Sequence, residues 1–486
     1  MTGSFLLINT NVARPPVSPV GLEYTGEALV EARVPVRVLD LAFEADWKAA
    51  LARELRNNEP IIVGVSIRNT DDSSFATRKS FLPWISEVVT EVNRLTSAFV
   101  LLGGGGFSIM PEAILGLTKA DAGIVGDGEE AVVTLTRCLT KGEDISCLPS
   151  VVYWHNGKVI RNPRSNIDLR RLPAPRRRLF DNKRYEQQGA MVGIETKRGC
   201  SQQCIFCADP VAKGSNIRLR PPKTVVQEFQ SLLDQEVSWF HLCDSEFNLP
   251  VTHAKEVCRA IIQAGLGDRL RWYTYCSPTP FDRELANLMK RAGCAGINFG
   301  VDSLCDEQLS RLGRSHSAKD IQQLVRLVKG EGLNYMFDLL IGGPGETEKT
   351  VRATIEKVKE LDIPLVGIAA GVRVYPETPL GKAVADGFIK DGLYPETGHA
   401  FYELFFYLSP YLGSDASLLI NELVAGDPRF LFLASPAEEG SYNYADDEAL
   451  CQLIREGARG AYWDILNRSR VSKGMISSTQ KGKDKV

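Results

Sequence analysis

The chain has 486 residues, 44% hydrophobic and 24% charged, with a formal net charge of −3 at pH 7. This is enough for two or three globular domains, and the nearly balanced charge gives no support to a general binder of nucleic acids or anionic membranes. The sequence shows no signal peptide and no apolar stretch long enough to span a bilayer, and its eleven scattered cysteines lead us to expect a reducing, cytoplasmic environment without disulfides.

Residues 1–142 alternate short apolar runs with segments of helical periodicity. The runs are FLLIN (5–9), VRVLDL (36–41), IIVGVSI (61–67), AFVLLGG (98–104) and AGIVG (122–126). This βαβα series predicts a doubly wound, Rossmann-like parallel sheet whose ligand lies beyond the carboxyl ends of the strands. The segments at those ends, such as SIRNTDDSS, GGGGFS and GDGEE, are rich in small and polar residues, as a large planar ligand would require.

Residues 143–190 form a connector in this interpretation. LPSVVYWHNGKVIRNPR predicts a hairpin with a turn at Asn156-Gly157. LRRLPAPRRRLFD, which follows, predicts a linker whose arginines are solvated.

Over residues 191–400 the alternation of strands and helices resumes. The six strand-like runs are MVGIETK, SWFHLCD, RWYTYCS, AGINFGVD, NYMFDLLIGG and PLVGIAAGV. Six βα units predict a partial (β/α)6 TIM barrel, with its chemistry at the carboxyl ends of the strands. We expect a small α-rich region on the substrate side over 401–470 and a disordered polar tail over 471–486.

Three cysteines, Cys200, Cys204 and Cys207, follow the first strand of this second series. They could serve a structural zinc site, a disulfide, a redox pair or an iron–sulfur cluster. A closed zinc site needs four ligands, and this segment supplies three, so His241 or Cys243 would have to complete it. A 4Fe–4S cluster held by three thiolates leaves one iron open to a substrate or cofactor.

The CxxxCxxC spacing, with an aromatic residue before its last cysteine, resembles the radical S-adenosylmethionine (SAM) superfamily. In that family SAM binds the unique iron of the cluster, and the resemblance covers about 191–400. HLCDSEFN stands where the family carries an acidic stretch near the SAM amino group, although it lacks the Gly-Gly-Glu of that stretch. RLGRSHS, LLIGGPGET and GVRVYPETPL look like loops near the SAM carboxylate, adenine and ribose. The residues implied are Phe206, Asp244, Glu246, Ser303, Arg314, Gly343 and Arg373.

A five-stranded domain ahead of such a barrel resembles the cobalamin-binding class of this superfamily. Many of its members carry an Asp-x-His-x-x-Gly motif whose histidine ligates cobalt, but the first histidine here is His155, so residues 1–154 supply no such ligand. A response-regulator or dinucleotide domain is the competing interpretation, and the absence of GxGxxG after the first strand disfavours the latter. The cobalamin-contacting residues implied by the resemblance are Asn9, Ser66, Arg68, Gly104, Gly105, Gly106, Gly126, Gly128 and Glu129.

Arg68, in SIRNTDD, matches an arginine that lies near cobalt in the tryptophan C-methylating branch of the class. The alternative is a surface pair between Arg68 and Asp71 or Asp72. With no imidazole from this domain, and if the cofactor's own base is displaced, the resemblance implies weakly ligated cobalt that accepts and releases a methyl group readily.

The two cofactors together imply a cobalamin-dependent radical SAM C-methyltransferase. Such an enzyme moves a methyl group from SAM through methylcobalamin to a carbon of a small, natural-product-type molecule. The same cofactors could instead serve a cyclisation, a rearrangement or a 3-amino-3-carboxypropyl transfer, and a non-catalytic carrier is a third hypothesis. Arg68, Tyr273 and Tyr375 are the candidate catalytic residues. The implied partner is an external electron donor such as flavodoxin or ferredoxin, with no nucleic acid or membrane.

Overall fold

Two seven-stranded sheets organise the chain. The structure, a computed structural model, describes residues 4–395, 404–413, 416–433 and 448–472. Within these ranges no helix combines the length and apolar character needed to cross a membrane.

The first sheet contains five parallel strands in the order β2-β1-β3-β4-β5, extended by an antiparallel hairpin. Its strands are β1 (Phe5–Asn9), β2 (Val36–Asp40), β3 (Ile62–Ser66), β4 (Phe99–Gly103), β5 (Ala122–Ile124), β6 (Val151–His155) and β7 (Lys158–Arg161). Its helices are α1 (Val20–Glu31), α2 (Trp47–Asn58), α3 (Leu82–Leu95), α4 (Gly105–Ile109), α5 (Pro111–Thr118) and α6 (Glu129–Lys141). The order in which the chain adds strands reverses between β1 and β3, and doubly wound sheets bind their ligands at such a reversal.

The five strands of the N-terminal series and the hairpin are confirmed. The hairpin turn falls at Asn156 and Gly157, both with positive φ, as its Asn-Gly sequence predicts. The hairpin also pairs with β5, so this part of the connector belongs to the first sheet.

The second sheet is wholly parallel, in the order β19-β15-β14-β13-β12-β11-β8. Its strands are β8 (Val192–Ile194), β11 (Trp239–Leu242), β12 (Arg271–Cys276), β13 (Cys294–Asp302), β14 (Tyr335–Ile341), β15 (Val366–Ala370) and β19 (Phe430–Phe432). Short strands outside it are β9 (Lys197–Arg198), β10 (Arg218–Leu219), β16 (Val372–Arg373), β17 (Leu393–Tyr394) and β18 (Phe406–Tyr407).

Helices surround this sheet and follow it. They are α7 (Asn182–Gln187), α8 (Asp209–Lys213), α9 (Pro222–Leu233), α10 (Val251–Gln263), α11 (Arg283–Arg291), α12 (Asp306–Arg311), α13 (Ala318–Gly330), α14 (Glu348–Glu360), α15 (Pro379–Ala385), α16 (Ala416–Val424), α17 (Glu448–Arg455) and α18 (Tyr462–Ser472). Short 3₁₀ helices cover Leu41–Phe43, Leu169–Arg171 and Pro410–Leu412.

The six runs of the barrel are confirmed as strands, and the described part of the C-terminal region is mainly helical, as predicted, with α16, α17 and α18. It adds β19, a three-residue strand parallel to β15. Helix α18 continues to Ser472, so the first two residues of the expected tail are helical. The rest of that tail, 473–486, lies outside the described residues. Phe405 and Phe406 are fully buried and belong to the core.

The prediction that the linker arginines are solvated is wrong for Arg177. Its side chain is fully buried and its guanidinium donates to Glu23 of α1 at 2.7 Å and to Glu228 of α9 at 2.6 Å. Arg176 and Arg178 are exposed. Arg177 has φ +54°, in the left-handed region, and its side chain alone of the three points inward to the carboxylates.

Further buried ion pairs join the first sheet to the second. Arg198 forms a bidentate pair with Glu129, with N–O distances of 2.6 and 3.0 Å, and also contacts Asp127 at 3.2 Å. On another side, Arg373 donates to Asp71 at 3.1 Å. These contacts hold the carboxyl ends of the two strand sets against each other.

Candidate active site

A cavity of about 620 Å³ lies between the two sheets. One wall comes from the carboxyl ends of β1, β3 and β4 and from the loop after β5, and the opposite wall comes from inward-facing residues of β8, β11, β12 and β13. The candidate residues that line it are Asn9, Ser66, Arg68, Gly104, Gly105, Gly126, Gly128, Glu129, Asp244 and Tyr273. The sequence indicates a binding edge at the carboxyl ends of each set of strands. Both of these edges therefore border the same cavity.

The glycine run after β4 forms a flat part of the first wall. Gly104 has φ +103°, and a Cβ there would lie 2.5 Å from the carbonyl oxygen of Ile67. A Cβ on Gly103 would meet no atom within 4 Å, because this residue borders the cavity. Gly106 does not line the cavity and packs instead against the backbone of Asn69. A side-chain-free edge of this kind fits the face of a large planar ring such as a corrin.

Two polar candidates on this wall are held by other protein groups. The Asn9 amide donates to Asp40 and to the Tyr185 hydroxyl, both at 2.9 Å, and Glu129 binds Arg198. Arg68 lines the cavity, whereas Asp71, its suggested surface partner, pairs with Arg373.

The cysteine loop lies between β9 and α8. Cys200, Cys204 and Cys207 are free thiols, and Arg314 donates to the sulfur of Cys204 at 3.0 Å. In the described part of the chain, no three His, Cys, Asp or Glu side chains are grouped in a geometry that could hold a metal ion. The donor set itself, three thiols in one loop, fits a cluster with one open iron and leaves a zinc site one ligand short.

Acidic side chains lie beside this loop. Arg314 pairs with Asp302 at 2.8 Å and lies 3.9 Å from Glu246. The Oε2 atom of Glu246 is buried without a hydrogen-bond partner, and burial raises the pKa of this carboxyl to about 7. Asp244 instead accepts from the Thr196 backbone N–H at 2.8 Å and from the Thr196 hydroxyl at 2.5 Å. Glu246 is thus the carboxylate with acceptor capacity to spare, which fits the ammonium group of SAM.

The other SAM-side candidates lie outside the cavity lining. The Ser303 hydroxyl lies 3.0 Å from the hydroxyl of Thr354, and the Gly343 backbone donates to Glu346 at 3.2 Å. Phe206 packs against an apolar cluster that includes Val372.

Arg373 and Tyr375 also lie away from the cavity, at the contact between the sheets. The Arg373 guanidinium lies 4.6 Å from the Tyr375 ring centre, and the Tyr375 hydroxyl lies 3.2 Å from that of Ser73. Burial raises the pKa of Tyr375 to about 12. This geometry indicates a role in joining the sheets.

Tyr273 contributes to the inner end of the cavity. Its hydroxyl donates to Asp464 of α18 at 2.7 Å, and its ring makes an edge contact with Trp463, with centroids 5.8 Å apart. Tyr462 and Trp463 line the cavity as well. The C-terminal helix thus closes the barrel with aromatic side chains.

Comparison with known proteins agrees with this two-walled site. The family model of the B12 binding domain matches residues 6–136, and that of the radical SAM superfamily matches residues 194–358. A tryptophan 2-C-methyltransferase of Streptomyces laurentii is 30% identical over 95% of each chain. The chain belongs to the cobalamin-dependent radical SAM methyltransferases.

Solved structures of another member share the whole architecture. TsrM from Kitasatospora setae, a radical SAM methyltransferase solved with tryptophan and the SAM analogue aza-SAM, is 32% identical, covers 97% of this chain and 98% of its own, and has a TM-score of 0.90. A second structure of TsrM, at 30% identity over 98% and 99% of the two chains, holds cobalamin and a [4Fe–4S] cluster, also at 0.90.

The predicted fold class, enzyme class and cofactors of this cobalamin-dependent radical SAM methyltransferase are confirmed. The cofactors are cobalamin, a 4Fe–4S cluster and SAM. Cobalamin supplies a methyl relay and the cluster an iron site for SAM.

Sequence reasoning considered His241 and Cys243 as possible zinc ligands and did not select Asn298 or Lys213. His241, Cys243, Tyr275, Asn298 and Lys213 all line the cavity. The signal was available in the alternation of β11 and β12, since residues two apart share one face of a strand. Burial, together with Arg68 and Lys213, lowers the pKa of His241 to about 4.

Proposed function

We propose that this protein is a tryptophan 2-C-methyltransferase. The similarity to the S. laurentii enzyme, which carries that name, and to TsrM solved with tryptophan supports this substrate. The observation that carries the proposal is the cavity between the sheets, which has a glycine-rich wall on one side and an aromatic and polar wall on the other.

The second wall has the chemistry that an indole requires. Tyr273, Tyr275 and Trp463 offer ring faces and edges, and Asn298 and His241 offer polar groups among them. Aromatic rings contact one another favourably in offset or edge-to-face arrangements, so a planar indole suits this wall. The protein's part is to hold the substrate carbon close to the methyl donor and to exclude water.

We assign roles to the candidate residues on the geometry of the site. Cys200, Cys204 and Cys207 hold the cluster, and Glu246 receives the SAM amino group. Arg68 faces the lower side of cobalt, and the remaining candidates of the first wall border the corrin.

The domain limits follow from the same assignment. Residues 1–142 bind cobalamin, 143–190 link the domains, 191–400 bind SAM and 401–470 complete the substrate side.

Two further aspects of the proposal concern the surroundings of the enzyme. An external donor such as flavodoxin or ferredoxin supplies the electron that activates the cofactors. A cytoplasmic location is supported by eleven free thiols, which suit a reducing compartment.

The test is a product analysis after anaerobic reconstitution with iron, sulfide and cobalamin. The protein receives tryptophan, a reductant and SAM labelled in its methyl carbon. We expect S-adenosylhomocysteine and 2-methyltryptophan in equal amounts, with the label at C2, because SAM and tryptophan balance to these two products and one proton.

Other SAM products would contradict the proposal and identify the alternative. 5′-Deoxyadenosine with no methylated product indicates a rearrangement or cyclisation. Methylthioadenosine indicates transfer of the aminocarboxypropyl group. If the cofactors are loaded and the label stays in SAM, no methyl group has been transferred, and tryptophan is not the acceptor.

A further inference from the structure

His241 lies on the second strand from one edge of the second sheet. It lies on β11 opposite Gly193 of β8 and Tyr273 of β12 in the strand register. Its side chain lines the cavity together with Cys243, two residues further along the same strand face.

The imidazole of His241 differs from the two other buried imidazoles in its hydrogen bonding. His253 Nε2 lies 3.1 Å from the Thr196 carbonyl oxygen, and His316 Nε2 lies 3.2 Å from that of Val301. The Nδ1 atom of His241 is buried with no hydrogen-bond partner among the described residues. Buried polar atoms nearly always have a partner, so an exception on a cavity wall indicates that a ligand supplies it.

The surroundings keep this imidazole neutral. Burial and the positive charges of Arg68 and Lys213 favour the uncharged ring, while Asp244 opposes them. A neutral imidazole has one N–H donor and one acceptor nitrogen, whereas the charged form only donates. His241 can therefore accept a hydrogen bond from a substrate N–H.

The neighbouring ring defines where such a substrate lies. Tyr275 makes an edge contact with His241, with ring centroids 5.6 Å apart and planes at 83°. Tyr275 is 36% exposed, although its strand is otherwise largely buried, and it lines the cavity. An aromatic substrate that packs on Tyr275 places its ring edge beside the imidazole.

We propose that His241 accepts a hydrogen bond from the indole N–H of tryptophan and thereby selects indole over rings that lack this donor. The inference rests on the proposed function and deepens it. While the methyl group bonds to C2, positive charge develops at C3 and spreads through the fused ring to the indole nitrogen, which strengthens the accepted hydrogen bond. Loss of the C2–H proton to solvent then restores the aromatic ring.

The test compares tryptophan with 3-(benzothiophen-3-yl)alanine, in which sulfur replaces the N–H. Dissociation constants are measured anaerobically by calorimetry on the holoenzyme with S-adenosylhomocysteine bound, so that no turnover occurs. We expect the wild type to bind tryptophan about 5- to 150-fold more tightly, the range for one buried hydrogen bond whose loss leaves a partner unsatisfied.

Variants assign this preference to one side chain. His241→Leu removes the acceptor and should abolish the preference, while His241→Gln keeps a carbonyl acceptor and should retain part of it. His155→Gln, on the exposed end of the β6–β7 hairpin, should leave the ratio of dissociation constants unchanged.

Two results would overturn the inference: equal wild-type affinities for the two ligands, or an unchanged preference in His241→Leu. The first needs no variant, so it decides the matter even where a substitution disturbs folding. If the wild type methylates tryptophan but shows no preference, the inference on His241 fails alone. If the loaded wild type neither binds nor methylates tryptophan, the proposed function fails with it.

Discussion

Arg177 tests whether buried charge pairs hold the two sheets together. We predict that Arg177→Met destabilises the protein strongly, because it removes the cation from between two buried carboxylates. Glu228 would keep Arg220 at 2.7 Å and the Tyr24 hydroxyl at 2.8 Å. Among the described residues, Glu23 would keep only the Asn182 amide, at 3.2 Å from both of its oxygens.

The expected loss follows from the burial of Glu23. Its side chain is fully inaccessible, so water cannot replace the lost guanidinium. Removal of one partner from a buried ion pair costs about 3–5 kcal/mol, chiefly through the charge left uncompensated. Arg178→Met, one position along the same linker, removes an exposed arginine and should change the stability by about 0.5 kcal/mol or less.

The assay is urea unfolding followed by circular dichroism, with the midpoints of the three proteins compared under identical conditions. A double variant, Arg177→Met with Glu23→Gln, removes the uncompensated charge as well and should recover part of the loss. The reasoning is refuted if Arg177→Met and Arg178→Met have the same midpoint, or if the double variant is no more stable than Arg177→Met.

Three further predictions concern the cofactor sites and pH. Cys204→Ser should lose cluster iron and methylation together, whereas Cys147→Ser, at an exposed thiol, should keep both. Iron analysis and visible absorption measure the cluster, and the yield of 2-methyltryptophan measures methylation. Electron paramagnetic resonance of the Co(II) form should show no axial nitrogen ligand supplied by the protein. A nitrogen signal that is present in the wild type and absent in His241→Leu would contradict this. Burial raises the pKa of Glu346 from 4.5 to about 7, so the folded protein binds this proton more tightly, and the stability it contributes is full below about pH 4.5 and is lost as the pH rises through 7. The free energy of unfolding obtained from urea curves should therefore fall between about pH 5 and 8 by roughly 3 kcal/mol more in the wild type than in Glu346→Gln. Parallel pH dependences of the two proteins would refute this.

Most of the fold could be predicted because its strands carry local signals. The five runs of the first sheet and the six of the second are short, apolar and separated by helical periodicity. Strand β19 also lies in a short apolar run, FLF (430–432), but outside the regular alternation of strands and helices, and it forms by pairing with β15. Without that alternation, such a run does not by itself distinguish a strand from a buried helix segment.

The charge pairs at the domain contact were beyond prediction for a related reason. A run of arginines gives no indication of burial, and the partners of Arg177 lie 154 and 51 residues away in the chain. Likewise Glu129 finds Arg198 across 69 residues. Only the folded positions of both groups show that the desolvation of each charge is compensated.

The site was predicted best where its chemistry depends on local spacing. The three cysteines and the glycine run are local patterns, so their sequence positions sufficed. His241 alternates with Phe240 and Leu242, which are fully buried, so the pattern indicates that its side chain lies on the other face of β11. The pattern does not show that this face borders a cavity, because that depends on the position of the first sheet.

Buried ion pairs, beside aromatic contacts such as that of Phe75 with Phe406, join the two parts of the chain that form the cavity walls. The largest buried apolar clusters each belong to one sheet, while Arg177, Arg198 and Arg373 pair with carboxylates of the first sheet across the boundary. Apolar packing tolerates substitution and small shifts, whereas a bidentate charge pair requires a defined distance and direction. A displacement of about 1 Å between reacting groups can cost about 100-fold in rate. We therefore infer that these arginines fix the spacing across which the methyl group must pass, and that their substitution lowers methylation even at temperatures where the protein stays folded.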